Sequence, residues 1–117
     1  MVSEVERKQM IDAAIKEANL QNVYCEIGEG LTVEYAKKKD AKFMIRGLRA
    51  SMDFEYELQI ANANTHLIPD IETVFLTSRA ELSFISSTIV KDVAQNHGNL
   101  KGLVPDCLIP VLEEKYK

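Results

Sequence analysis

Lys42-Phe43-Met44-Ile45-Arg46-Gly47-Leu48-Arg49-Ala50-Ser51-Met52-Asp53-Phe54-Glu55-Tyr56-Glu57 decides how the rest of this chain is read. Phe43-Met44-Ile45 is a short apolar run of the kind a strand buried on both faces shows. The run breaks at Arg46-Gly47-Leu48-Arg49, two permanent cations around a glycine that lets backbone approach a ligand closely. A helical pattern over about 53–67 follows, with Ser51 or Asp53 as its cap and Phe54, Leu58, Ala61 and Thr65 along one stripe. A strand that ends in two guanidiniums and opens onto a helix start gathers fixed positive charge and free N–H groups. Phosphate is the anion such a place suits.

Working outward, Ser3-Glu4-Val5-Glu6 reads as a capping box opening a helix over 4–19, with Met10, Ile11, Ala14, Ile15 and Ala18 inward. Asn19 to Asn22 end that helix. Val23 to Ile27 reads as a short strand, and Gly28 and Gly30 mark the turn after it. A second helix is expected from Leu31 or Thr32 to Lys39, with Leu31 and Tyr35 inward. Lys37, Lys38 and Lys39 then lie at its C-terminal end, where they suit the helix dipole better than a phosphate patch. The stretch 42–46 is the second strand and Glu72 to Thr77 the third; Pro69 punctuates the helix exit between them. Ser78 to Leu82 is a polar loop, and Ser83-Phe84-Ile85-Ser86-Ser87-Thr88 leads into a helix carried by Ile89, Val90, Val93 and Ala94. Gly98 is the expected C′ residue of that helix. Pro105 opens a last helix with Leu108, Ile109 and Leu112 buried, and Pro110 should bend or shorten it. There is no internal repeat or low-complexity tract.

Helices alternating with strands argue for an α/β layered fold with a parallel sheet of three strands and right-handed crossovers. In such folds ligands bind beyond the C-terminal ends of the strands. The Arg46–Arg49 and Ser83–Thr88 stretches both sit at such ends. Several hydroxyls and unpaired N–H groups at 83–88 suit an anion, although Ser86 alone would serve as an ordinary helix cap.

Size and charge narrow the function. The 117 residues leave room for one domain. A net charge of −4 argues against a broad nucleic-acid or acidic-membrane surface, so any cationic site is local. No run is long and apolar enough for a membrane span and no leader opens the chain, so a cytoplasmic protein is expected. Cys25 and Cys107 lack a Cys-x-x-Cys partner, and His66 and His97 lack ligand-spaced neighbours. Free thiols and structural histidines are expected, and no metal site of the chain's own.

From about Ser3 to its end the chain resembles the bacterial phosphopantetheine adenylyltransferases. Their hallmark is Ile-Arg-Gly-Leu-Arg followed by Asp-Phe-Glu-Tyr-Glu, here Ile45 to Arg49 and Asp53 to Glu57. A second match is the family's Ser-x-Ile-Ser-Ser-[Ser/Thr], here Ser83 to Thr88 with the following Val-Lys. The resemblance implies an incomplete Rossmann-like nucleotidyltransferase fold and adenylyl transfer from ATP to 4′-phosphopantetheine, giving dephospho-coenzyme A and pyrophosphate. Carried across by position, Leu82, Ser83, Phe84, Ile85, Ser86, Ser87 and Thr88 would line the ATP site. Gly47, Leu48 and Arg49 would contact adenine and triphosphate, and Glu57 would reach the nucleotide from its helix. Arg49 and Ser87 would stabilise the reacting phosphates. Arg46 would pair with the phosphate of 4′-phosphopantetheine, and Thr32 would touch that substrate. Mg2+ arriving with ATP and a homo-oligomer, a hexamer in the family, are implied as well.

The resemblance also implies a part these residues do not carry. The family's [Thr/His]-x-Gly-His motif and a phosphate-binding lysine lie on a βαβ unit of about 40 residues, and none of the five glycines here is followed by histidine. Without that unit the strand at 23–27 should have no neighbour, and the other two should expose apolar surface. The expectation is therefore a polypeptide that by itself forms no stable monomer of the family fold. The alternative to an adenylyltransferase is a catalytically inactive fragment or assembly partner that binds a nucleotide or coenzyme A.

Overall fold

The computed structural model describes residues 2–49 and 54–117. Its elements follow in the order α1 (Glu4–Glu17), α2 (Thr32–Lys38), β1 (Phe43–Leu48), α3 (Phe54–Leu67), β2 (Glu72–Thr77), α4 (Ser87–Gln95) and α5 (Ile109–Lys115). Contacts divide the chain into two compact units, one of Met1–Ile27 with Ile85–Lys117, the other Gly28–Phe84. Among the described residues no helix is long and apolar enough to cross a membrane.

The unit Gly28–Phe84 is a strand–helix–strand crossover with α2 before it. β1 and β2 run parallel, Phe43 opposite Glu72 and Leu48 opposite Thr77. Side chains alternate across this pair. Met44, Thr73 and Phe75 turn inward; Phe43, Ile45, Val74 and Leu76 are exposed on the other face. The reading of Phe43-Met44-Ile45 as a strand buried on both faces is thus corrected, since Ile45 is 70% exposed. An apolar run signals burial on two sides only where a second layer covers the second side. The core of this unit is Val33, Ala36, Ile68 and Ile71, with Ala41 and Met44 packed against it.

Two helix faces also differ from expectation. In α2 the inward residues are Val33 and Ala36, while Leu31, just before the helix, is exposed. In α3 the buried line runs through Glu57, Ala61 and on to Ile68, one residue round from the expected stripe, leaving Leu58 outward. The shift puts a carboxylate where an apolar residue was expected, and its partner is described below. Phe54 keeps an inward contact through an edge-to-face packing on Phe75, ring centroids 5.5 Å apart. The expected cap at Ser51 or Asp53 lies outside the described residues.

The first of the three expected strands is not formed. Val23 to Ile27 makes no ladder in the described chain, because a strand exists only where a neighbour takes its N–H and C=O groups. The described sheet has two strands, both parallel.

In the other unit, Ala94, Leu100, Leu108 and Leu112 form the core, with Met10, Val90 and Val93 against them. The capping box is present: Glu6 N–H donates to Ser3 Oγ at 3.1 Å and Ser3 N–H to Glu6 Oε1 at 3.3 Å. Glu6 also accepts from Lys115 Nζ at 3.0 Å, so α5 is pinned to the start of α1. No residue of α1 is fully buried, and Ile11 of the expected stripe faces out. Of the two effects expected of Pro110, a bend or a shortening, the last helix shows the shortening. A 3₁₀ turn at Asp106–Leu108 delays the α-helix to Ile109, so Pro110 falls in the first turn, where its missing N–H has no intrahelical partner to lose.

Candidate functional site

The chemistry of the Gly28–Phe84 unit is concentrated on the inner face of β1. Arg46 projects from the strand toward α3 and meets Glu57, which enters from that helix's first turn. Arg46 Nε donates to Glu57 Oε2 at 2.9 Å and Arg46 Nη2 donates to Oε1 at 2.9 Å. This is a two-bond fork between planar groups, the strongest arrangement an arginine and a carboxylate can make. It also explains the rotated face of α3: a carboxylate can be sheltered when a guanidinium takes both its oxygens. The hydrogen bonds from Arg46 hold Glu57 below the usual carboxylate range, against burial that pushes it up. The Arg46 guanidinium is correspondingly raised.

Arg46 and Glu57 line a cavity of about 240 Å3, joined by Thr32 at the first position of α2 and by Asn64 and Thr73. Thr73 Oγ1 is buried and has no hydrogen-bond partner among the described residues. Asn64 and Thr73 were not among the residues singled out from sequence. Asn64 lies two turns along from Glu57 on the same helix face, and Thr73 is opposite Met44 on the inward side of β2; pairing register was the signal needed.

The remaining expected residues of this unit gather elsewhere. Leu48, Arg49 and Ser83 line a second cavity of about 370 Å3, with Thr77 and Ser78 at the end of β2. The two arginines of Arg-Gly-x-Arg therefore serve different cavities. Gly47 lies between them in β1, and a side chain there would meet nothing within 4 Å, so its surroundings are open. Leu82 closes a 3₁₀ turn and Phe84 is exposed. Ser83 Oγ donates to the Ala80 carbonyl at 2.9 Å.

The rest of the hydroxyl-rich stretch belongs to the other unit. Ser86 is the N-cap of α4, its Oγ accepting from Ile89 N–H at 3.2 Å. Its side chain therefore has an ordinary capping role. Ser87 and Thr88 are the first exposed residues of that helix, and Ile85 precedes the cap. Ser87 lines a largely apolar cavity of about 500 Å3 with Arg7 and Lys91. Arg7 was not singled out from sequence, because it lies far off on α1; Lys91 is the lysine of the Val-Lys that follows the motif, a turn further along α4.

Cys25 and Cys107 are both free thiols. Cys107 is pushed up first by its hydrogen bond to Glu17 and then by burial, which makes it a poor nucleophile. Among the described residues no three His, Cys, Asp or Glu side chains stand together as a metal cluster.

Comparison with known proteins agrees with the motifs. The family described as Cytidylyltransferase-like matches residues 1–93. The phosphopantetheine adenylyltransferase of Bdellovibrio bacteriovorus is 49% identical over all 117 residues, which span 72% of that protein. That of Lachnoclostridium phytofermentans is 47% identical over 95% of this chain and 67% of its own length. That of Thermomicrobium roseum is 42% identical over the whole chain and 69% of its own. Identity at this level over nearly the whole chain means that the chain belongs to the phosphopantetheine adenylyltransferase family.

Proposed function

We propose that this chain serves adenylyl transfer between ATP and 4′-phosphopantetheine, the step of coenzyme A biosynthesis that yields dephospho-coenzyme A. The observation that carries the reading is the Arg46 fork, seated by Glu57 in a cavity that also holds Thr32. A fixed guanidinium beside a hydroxyl is suited to the terminal phosphate of an acceptor. Arg49 with Ser83, beyond the strand ends, is suited to a triphosphate.

In the reaction a phosphate oxygen of 4′-phosphopantetheine attacks the α-phosphorus of ATP. The new P–O bond forms as the bond to the bridging oxygen of pyrophosphate breaks, so no covalent enzyme intermediate is needed. The chain's part is to orient the two phosphates and to stabilise charge on their oxygens. Arg46 and Thr32 hold the acceptor; Gly47, Leu48 and Arg49 hold the nucleotide, with Leu82, Ser83 and Phe84 of the same unit beside them. Arg49, at the end of β1, is the cation offered to the reacting phosphates. Mg2+ would arrive with ATP and would supply neutralisation of charge on the phosphate oxygens.

The test is release of pyrophosphate by the 117-residue chain given ATP, Mg2+ and 4′-phosphopantetheine together. Release that depends on both substrates is expected. ATP binding by calorimetry with no release under the same conditions would favour the second reading, a nucleotide-binding fragment. That reading is kept because no glycine here is followed by histidine.

A further inference from the structure

Glu57 is the residue whose surroundings fit its expected role least well. A nucleotide ligand on a helix should offer its carboxylate outward. Here the Glu57 side chain is 11% exposed, whereas that of Arg46 is 55% exposed. Both carboxylate oxygens point at one guanidinium, with two bonds of equal length. The anion forms the inner, sheltered side of the pair and the cation the outer side.

We propose that Glu57 is a positioning residue for the acceptor phosphate: it acts through Arg46 and makes no decisive contact with the nucleotide. The inference rests on the functional reading above and deepens it. The five N–H groups of a guanidinium lie in one plane and in fixed directions. The pair engages Nε and one edge of Nη2. Fixing that edge fixes the direction of the N–H groups on Nη1, which lie on the side away from Glu57. An unsupported arginine has several rotatable bonds, and freezing them on binding costs affinity. With Glu57 in place, that ordering is complete before any ligand arrives.

The pair also changes what Arg46 recognises. Its charge is balanced by Glu57, so a distant anion is drawn only weakly and the interaction depends on direct, well-aimed hydrogen bonds. A terminal phosphate monoester, with several oxygens free to take two parallel bonds, meets that requirement. Thr32 and Asn64, polar groups of the same cavity, complete the surroundings of such a phosphate.

The experiment measures two affinities on the intact 117-residue chain by calorimetry, one for 4′-phosphopantetheine and one for ATP with Mg2+. Wild type is compared with Glu57→Gln, Glu57→Asp and the exposed-helix control Glu55→Gln. Loss of a charge-assisted hydrogen bond corresponds to about tenfold to hundredfold in affinity. Glu57→Gln should weaken 4′-phosphopantetheine binding by that amount and leave ATP within about twofold. Glu57→Asp, which keeps charge but falls short of the guanidinium, should lie between, and the control should match wild type. A purely structural role would lower both affinities together, and that result overturns the inference. So does selective loss of ATP, or no change in either. If Glu57→Gln does not fold, Glu57→Asp carries the comparison: acceptor-selective loss is expected, and equal loss of both ligands or no loss overturns the inference. Wild-type protein that binds neither ligand would overturn the functional reading itself, an outcome distinguishable from selective ATP loss in a variant.

Discussion

Glu57 and Arg46 make their pairing measurable through protons. The folded carboxylate sits below its ordinary value because Arg46 donates two hydrogen bonds to the charged form. A group depressed on folding contributes stability that is complete above its unfolded value, about 4.3 for glutamate. That contribution fades as pH falls through the lowered folded value. The expectation is that the Glu57 carboxyl carbon, followed by NMR, titrates below an ordinary glutamate and returns toward it in Arg46→Ala. Contact between α3 and β1 should loosen over that same acid window. Each residue was visible in the sequence as a candidate, Arg46 for a phosphate and Glu57 for a nucleotide. Their partnership was not, since it joins a strand to a helix across eleven positions and depends on which face of α3 turns inward.

Helix ends give the clearest case of local rules outlasting a wrong assignment. α1, α2 and α4 all stop with a left-handed residue: Asn19 at φ 54°, Asp40 at φ 56° and His97 at φ 58°. The next residue's N–H returns to the helix each time, Leu20 to the Ile15 carbonyl at 3.2 Å, Ala41 to Ala36 at 2.9 Å and Gly98 to Val93 at 2.8 Å. This is the Schellman arrangement. Asn19 was legible as a stop; Gly98 was assigned the left-handed position that His97 occupies. What Gly98 supplies is closeness, because a Cβ there would lie 2.9 Å from Val93 Cγ1 and 3.3 Å from its carbonyl oxygen. Gly98→Ala should therefore destabilise this unit by about 1–3 kcal/mol, read as a lower denaturation midpoint at fixed protein concentration. The capping box of α1 could be read directly, since it depends on neighbours within a few residues. The buried faces of α2 and α3 could not. Val33 against Leu31, and Glu57 against Leu58, are decided by what lies across from them.

Over the whole chain, the parallel pairing and the helices around it followed from alternation of pattern, and the strand expected at 23–27 failed for want of a neighbour. The same want leaves Phe43, Ile45, Val74 and Leu76 on an open sheet face. Contiguous apolar surface of this kind is unusual on a stable monomer. The purified chain should bind a hydrophobic dye, melt with a midpoint that shifts with concentration, and lose most of the dye signal in a Phe43→Ser, Ile45→Ser double variant. A sharp, concentration-independent transition with no dye binding would contradict this.

Because Phe43 meets Glu72, closing the ladder must join strands separated in sequence by the whole of α3. Such a distant closure is slow compared with winding a helix. A chain caught halfway has a helix carrying Glu57 and no strand pair to bring Arg46 to it. A phosphate ligand added during refolding would find nothing to hold until that last join is made. Its capture would time the slowest event in the assembly of this unit, so a binding signal doubles as a clock for folding.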